Sequence, residues 1–246
     1  MFHGLGRLLL RLVNGLELAL FSLVMYVGAY LPPPLRRWYP RLFRIWCRSF
    51  VRALGVELHL HQKNRRPLPR QYILIANHPS AFEDVGVPAL FPVFSLAKVE
   101  LRDWYIFGRI SRGAGTLYLK REDQASRRDA ARQIADELRA GRNVCVYPEG
   151  GCKGRRVNTF FPGVFDIALQ TGVPILPLFL HYEAQEDFEW QGQHLVKKIW
   201  QIMTARNHHA HYYVYDAIPP AGFADKEEFC AHVHGLYLHW QSKYLE

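Results

Sequence analysis

Four short apolar runs constrain this chain more than any other feature: Tyr72-Ile73-Leu74-Ile75-Ala76, Phe94 to Lys98, Val144-Cys145-Val146-Tyr147 and Ile175 to Leu180. Each reads as a strand, and stretches of helical periodicity separate them. Val85 to Phe91 is one such stretch. Ser126 to Ala140 is another, with Ala130, Ile134 and Leu138 on one face and Gly141 as its stop, and Gly163 to Thr171 is a third. Strands that alternate with helices predict an α/β fold, a mostly parallel sheet flanked by helices on both faces. Further strands are expected where Val56, Leu58 and Leu60 alternate with Glu57, His59 and His61, after the turn at Gly113 to Tyr118, and at His211 to Tyr215. Lys226 to Leu245 reads as a closing helix. Periodicity is lost between Glu183 and Ala210. At 246 residues the chain fits one such domain plus an appendage, with no internal repeat or low-complexity linker.

The appendage lies at the N-terminus. Leu18 to Leu31 is nearly all apolar, but fourteen helical residues span only about 21 Å against a hydrocarbon core of about 30 Å. Extending the run back to Leu8 takes in Arg11, Asn14 and Glu17, and a charge at mid-bilayer costs roughly 2.5–3.5 kcal/mol. The expectation is a helix that dips into one leaflet. A signal peptide fits poorly, since the run ends in Pro32-Pro33-Pro34 and Val27-Gly28-Ala29 is a weak cleavage site. A second helix over Leu35 to Leu54 carries Arg37, Arg41, Arg44, Arg48 and Arg52 at three- and four-residue spacing, with Pro40 able to delay its start. Trp38, Leu42, Ile45, Trp46 and Phe50 form its other side, the pattern of an interfacial helix on anionic lipid. Residues 1–55 are thus expected to be a membrane-associated helical segment, and 56–246 a separate α/β domain. The basic residues after the apolar run place that domain on the cytoplasmic face, which in a bacterium is the inner membrane.

A formal net charge of +9 favours an anionic partner without choosing among nucleic acid, lipid and acidic substrate. Cys47, Cys145, Cys152 and Cys230 are scattered, and read as reduced thiols rather than a disulfide framework or a zinc site.

The chemistry concentrates where the first apolar run ends, in Asn77-His78-Pro79-Ser80-Ala81-Phe82-Glu83-Asp84. Ligands in open α/β sheets bind beyond the carboxyl ends of strands, and His78 falls there. A neutral imidazole with an acid on its second nitrogen is what a general base needs, and two acids follow within six residues. Ser80-x-x-Glu83 is equally a capping box that starts a helix without chemistry.

Asn-His-Pro-Ser-x-x-acid resembles the first block of the glycerolipid acyltransferase superfamily, which is His, four residues, then Asp. Glu83 stands at that Asp position and Asp84 follows it; Glu83, which keeps the spacing and has the longer side chain, is the expected partner of His78, with Asp84 as the alternative. Lys98-Val99-Glu100-Leu101, Ile106-Phe107-Gly108 and Gly115 to Arg121 resemble the second block and its approach, where an Arg grips the acceptor's phosphate, here Arg121. Tyr147-Pro148-Glu149-Gly150 resembles the third. It is usually followed by Thr-Arg-Ser, but here by Gly151-Cys152-Lys153-Gly154-Arg155-Arg156. The resemblance implies Glu149 and Gly150 at the acceptor site. Cys152 takes the place of the family Arg, so Lys153, Arg155 or Arg156 would have to supply its charge, and a head group other than that of lysophosphatidate becomes plausible. Phe161-Pro162-Gly163 and Val173 to Leu178 resemble the approach to the fourth block and the block itself, which is mostly apolar and suits an acyl path. The matches run in family order from Asn77 to Leu178.

The resemblance implies a membrane-associated O-acyltransferase. It would move a fatty acyl group from acyl-CoA or acyl carrier protein to a hydroxyl of a lysophospholipid or related lysolipid. The expected catalytic residues are His78, Glu83 and Asp84, and the expected substrate-binding residues are Arg121, Glu149, Gly150, Lys153 and Arg155. Partners would be an anionic lipid surface, an acyl thioester and a lysolipid, with no nucleic acid, no metal and no cofactor. A catalytically silent lipid-binding protein of the same fold is the alternative. Cys152 as a nucleophile lacks an activating partner in the sequence. No Gly-x-Ser-x-Gly elbow, Gly-x-Gly-x-x-Gly or Walker loop is present. His208-His209-Ala210-His211 and Cys230-x-His232-x-His234 do not have zinc-motif spacing.

Overall fold

A computed structural model of the chain describes residues 2–190, 192 and 194–246. Its centre is a seven-stranded sheet of β1 (Glu57–Gln62), β2 (Ile73–Ala76), β3 (Val93–Lys98), β4 (Leu117–Leu119), β5 (Asn143–Val146), β6 (Ile175–Tyr182) and β7 (His209–Val214), in the spatial order β1-β7-β6-β2-β5-β3-β4. Every pairing is parallel except β6 with β7. The helices are α1 (Phe2–Gly28), α2 (Tyr39–Leu54), α3 (Glu83–Leu90), α4 (Phe107–Gly113), α5 (Gln124–Arg139), α6 (Gly163–Thr171), α7 (Gln185–Phe188), α8 (Leu195–Met203) and α9 (Lys226–Leu245).

The uniform apolarity of the central strands follows from their two covered faces. Leu74, Ala76, Leu176 and Leu178 join one core with α2 and α3, while Ile73, Ile75, Val144 and Ile175 join another with α5, α6 and α9. Packing on the first side is close: a Cβ on Gly86 of α3 would fall 2.1 Å from the Tyr212 hydroxyl of β7. The expected strands and the helices at α3, α5, α6 and α9 all form. α4, α7 and α8 were not expected, and α7 and α8 fill the segment where periodicity fails.

At the N-terminus the delayed start of the second helix agrees with the expectation for Pro40, whereas its single aromatic face needs correction. The second helix starts at Tyr39, after a separate 3-10 turn over Pro33–Arg36, with Pro40 in its first turn where a missing N–H costs nothing. More importantly, its aromatic side is divided. Trp46 is 2% exposed and donates its indole N–H to Ser22 Oγ on α1 at 2.8 Å, and Phe43, Cys47, Val51 and Leu54 join the same core as the sheet. Only Trp38, Leu42 and Ile45 point outward, with Arg37 and Arg41 stacked about the Trp38 ring. A boundary at 55/56 therefore does not separate two cores, because α2 is part of the α/β domain.

α1 carries one stretch, Leu9–Gly28, that is long and apolar enough to cross a membrane. Its polar interruptions share one face and are held by α2. Glu17 accepts from Ser49 Oγ at 2.7 Å and pairs with Arg52, Asn14 reaches the Arg52 carbonyl, and the Arg11 guanidinium lies over Gly55 at the α2 C-terminus. The opposite face, with Leu9, Leu12, Val13, Leu16, Leu20, Leu23, Val24 and Val27, is not covered by any of the described residues, and each of these residues is more than half exposed.

Candidate active site

The end of β2 is clamped before it reaches His78. The Asn77 carboxamide donates to the Leu180 carbonyl at 2.9 Å and accepts from the Leu180 N–H at 2.7 Å, locking the strand exit to β6. The His78 N–H donates to Glu149 Oε1 at 2.9 Å, and the His78 ring stacks on Tyr147 with centroids 4.1 Å apart. Past Pro79 the chain turns, with Ser80 Oγ donating to the Phe188 carbonyl at 2.6 Å.

Glu83 is the first residue of α3, so Ser80 is not its N-cap and the capping box does not form. Glu83 Oε2 nonetheless accepts the Ser80 N–H at 3.1 Å, and the same oxygen lies 2.9 Å from His78 Nδ1. Its Oε1 accepts from the Tyr182 hydroxyl at 2.6 Å. With Nδ1–H directed at Glu83, the His78 Nε2 lone pair faces the cavity, where Cys152 Sγ lies 3.4 Å away. The acid paired with His78 is thus Glu83. The Asp84 side chain lines the cavity wall instead.

Burial sets the electrostatics. It holds the His78 imidazole below its ordinary value, which favours the neutral form a base requires. It also lifts the Glu83 carboxyl well above the usual carboxylate range, against the donors Tyr182 and Ser80. Asp84 is raised to about 6 by burial and by Glu83, with His78 and Arg121 pulling it down. The Cys152 thiol is pushed up by burial and the neighbouring carboxylates, so it is a neutral S–H donor to Nε2 rather than a thiolate.

Nε2 opens into a cavity of about 490 Å³ whose walls include Phe50, Leu54, Trp104, Phe107, Ile199 and Ile202, with Asp84, Lys98, Glu100, Arg121 and Lys198 as its charged lining. A neighbouring cavity of about 700 Å³ shares Leu96, Ala97, Arg121 and Tyr147 with the first, and adds Glu149, Gly150 and Lys153. Arg121 therefore stands where the two meet. Glu149 is buried and holds the backbone at two points, accepting from His78 N–H and, on Oε2, from Asn158 N–H at 3.0 Å. Gly150 has φ +70°, and a Cβ there would meet the Phe161 ring at 2.9 Å. Lys153 lies 6.0 Å over the Phe161 ring at the second cavity. Arg155 is not brought to either cavity. It donates to the Leu245 carbonyl at 3.2 Å, at the far end of α9.

Three contributors escaped the sequence reading, Tyr182, Asn158 and the walls supplied by α8, while Tyr147 stands in the third block without a sign of its stacking on His78. Tyr182 lies 99 residues from Glu83, at an alternating strand position that reads as core. No local spacing signals it.

The acyltransferase family model matches residues 57–181. A lyso-ornithine lipid O-acyltransferase of Pseudomonas aeruginosa is 30% identical over 197 residues, covering 77% of this chain and 73% of that protein. A lysophosphatidylcholine acyltransferase 1 of Rattus norvegicus is 31% identical over 199 residues, covering 73% of this chain but 35% of that longer protein. The crystal structure of the 1-acyl-sn-glycerophosphate acyltransferase PlsC from Thermotoga maritima shares the fold, with a TM-score of 0.68 over 95% of this chain and 97% of that one at 20% identity. The first three blocks expected from sequence converge at the carboxyl ends of the sheet, and the matched segment, residues 57–181, contains all four. The chain belongs to the acyltransferase family, and is an acyltransferase of the glycerolipid superfamily.

Proposed function

We propose that the protein transfers a fatty acyl group from acyl-CoA or acyl carrier protein to a hydroxyl of a lysophospholipid or related lysolipid at a membrane surface. The observation that carries this reading is the buried Glu83–His78 pair with Nε2 open to an apolar cavity. His78 Nε2 takes the proton of the acceptor hydroxyl, displacing the Cys152 S–H contact, as the oxygen attacks the thioester carbonyl. The tetrahedral adduct collapses to the ester, and the departing thiolate takes the proton from His78. Glu83 holds the ring and stabilises its transient positive charge. A positioned base is worth typically about 10²–10⁴-fold. These steps are proton transfers and acyl exchange, which require neither metal nor redox cofactor nor nucleic acid.

The aromatic and aliphatic walls suit an acyl chain. Arg121, with Lys153 at the second cavity, suits the anionic part of a head group. Cys152 in place of the family's second Arg supports an acceptor read by fewer fixed guanidinium groups than lysophosphatidate. The outer face of α1, continued by Trp38, Leu42 and Ile45 beside Arg37 and Arg41, supports docking into one leaflet of an anionic membrane from its cytoplasmic side.

The test is acyl transfer by purified protein in detergent, with labelled acyl-CoA and acyl carrier protein offered separately against a panel of lysolipids. Acylation of one lysolipid names acceptor and donor. Folded protein that binds lysolipids yet turns over none would replace the proposal with a lipid-binding role.

A further inference from the structure

The alternation Glu57, His59, His61 in β1 is matched by His209, His211, Tyr213 in β7. The parallel register pairs Glu57 with His209 and His59 with His211, so the two sets share one face of the sheet. That face is opposite the one on which Leu58, Ala210, Tyr212 and Val214 pack against the core with α2. It brings imidazoles from segments 150 residues apart into contact.

The side chains are partly solvated, yet their contacts are specific. Glu57 Oε2 lies 3.4 Å from His209 Nε2 and 3.8 Å from His59 Nε2. His59 Nε2 is shielded from solvent and makes no hydrogen bond. Around a tetrahedral ion with bonds of about 2.0–2.2 Å, ligand atoms stand about 3.3–3.6 Å apart, close to these separations. On its other side His209 turns Nδ1 toward Glu183 Oε1 at 3.4 Å, and Glu183 also takes His211 Nε2 at 2.7 Å. A carboxylate on the far nitrogen is what fixes a metal-binding imidazole with Nε2 free to ligate. The 2.7 Å His211–Glu183 contact is a closed hydrogen bond, which assigns Glu183 the orienting role rather than a ligand's.

We propose that Glu57 Oε2, His59 Nε2 and His209 Nε2 bind a divalent cation of the zinc type, oriented through Glu183, with the remaining coordination position open to water. The mixed imidazole and carboxylate donors suit zinc better than calcium or magnesium. The ion would cross-link edge strand β1 to β7, and so hold the segment that leads from α2 into the sheet. Spacing within each His-rich stretch gives no sign of such a site, because no single stretch supplies two of its histidines.

The test is calorimetric titration of tag-free full-length protein in detergent with zinc chloride, alongside the absorption of its cobalt-substituted form. The expected result is one saturable equivalent with a tetrahedral cobalt spectrum. His59→Ala or His209→Ala should weaken binding at least about a hundredfold, Glu183→Gln about 10–100-fold, and His61→Ala no more than about threefold. Saturating zinc should raise the melting temperature of the wild type but not of His59→Ala. Should an alanine variant not fold, Glu57→Gln, which keeps the side-chain shape, should show the same loss. Absence of saturable binding by the wild type overturns the proposal. So does unchanged binding in His59→Ala together with loss in His211→Ala, which would move the ion to Glu183, His209 and His211.

Discussion

At the carboxyl ends of the sheet this protein buries polar groups, and along α1 it exposes apolar ones. His78, Glu83 and Glu149 are at most 7% exposed, whereas Leu16, Leu20 and Leu23 are each more than half exposed. Both regions invert the usual partition of residues, and each inversion is informative where an ordinary core or surface is not. The polar inversion is sustained by paired hydrogen bonds, since each of the three groups has partners within about 3.1 Å. Among the described residues the apolar inversion has no such compensation, and the lipid leaflet proposed above would supply it.

The comparison breaks if the polar region tolerates loss of one partner. Glu83→Gln keeps the size but replaces one of the two oxygens that hold His78 Nδ1 and the Tyr182 hydroxyl with an N–H donor, and kcat/KM should fall about 10²–10⁴-fold. Asp84→Asn, on the cavity wall, should cost less than about tenfold, and equal losses would return Asp84 to candidacy as the partner. The apolar region should respond in binding rather than chemistry. Replacing Leu16, Leu20 and Leu23 together with Glu should lower partition onto anionic vesicles at least about a hundredfold, each buried Leu being worth roughly 1.5–3 kcal/mol. Turnover of detergent-dispersed lysolipid should stay within about threefold, so vesicle co-sedimentation and micellar kinetics separate the two regions.

A smaller effect sharpens the polar side. Tyr182→Phe leaves Glu83 Oε1 without its donor, a deficit of about 1–3 kcal/mol, which kinetics should register as roughly a tenfold fall and thermal unfolding as a lower midpoint. The smallest concerns pH. Burial disfavours the His78 imidazolium, so the neutral base persists below the ordinary imidazole value, and kcat/KM should stay level down through about pH 6.5 and decline only beneath it. A midpoint at or above about 6.5 would mean that Glu83 holds the imidazolium against desolvation.

The two regions also differed in how legible they were. The polar site is carried by blocks contiguous in sequence: His78 and Glu83 are five residues apart, and Glu149 and Gly150 follow β5 directly. Tyr182, Asn158 and α8 were not legible, because they reach the site through strand pairing and helix packing at separations no local pattern encodes. Arg155 shows the converse, since proximity in sequence to Glu149 did not bring it to the cavity. For the N-terminal helices, composition identified apolar and basic faces but not which apolar face was already taken. Trp38, which caps the N-terminus of α2, and Trp46 within it are both aromatic, yet Trp46 is buried in the core and Trp38 is exposed. The sheet itself was legible because its central strands are covered on both sides, whereas α8, an amphipathic helix of only nine residues, is too short for its periodicity to stand out.

The most direct test of the account is a comparison of acyl transfer by the wild type and by His78→Ala, with thermal unfolding confirming that both are folded and with saturating acyl thioester and lysolipid. The account predicts a loss of about 10²–10⁴-fold in turnover with lysolipid affinity retained. Turnover within about tenfold of the wild type would contradict it, and would remove His78 from the role of base.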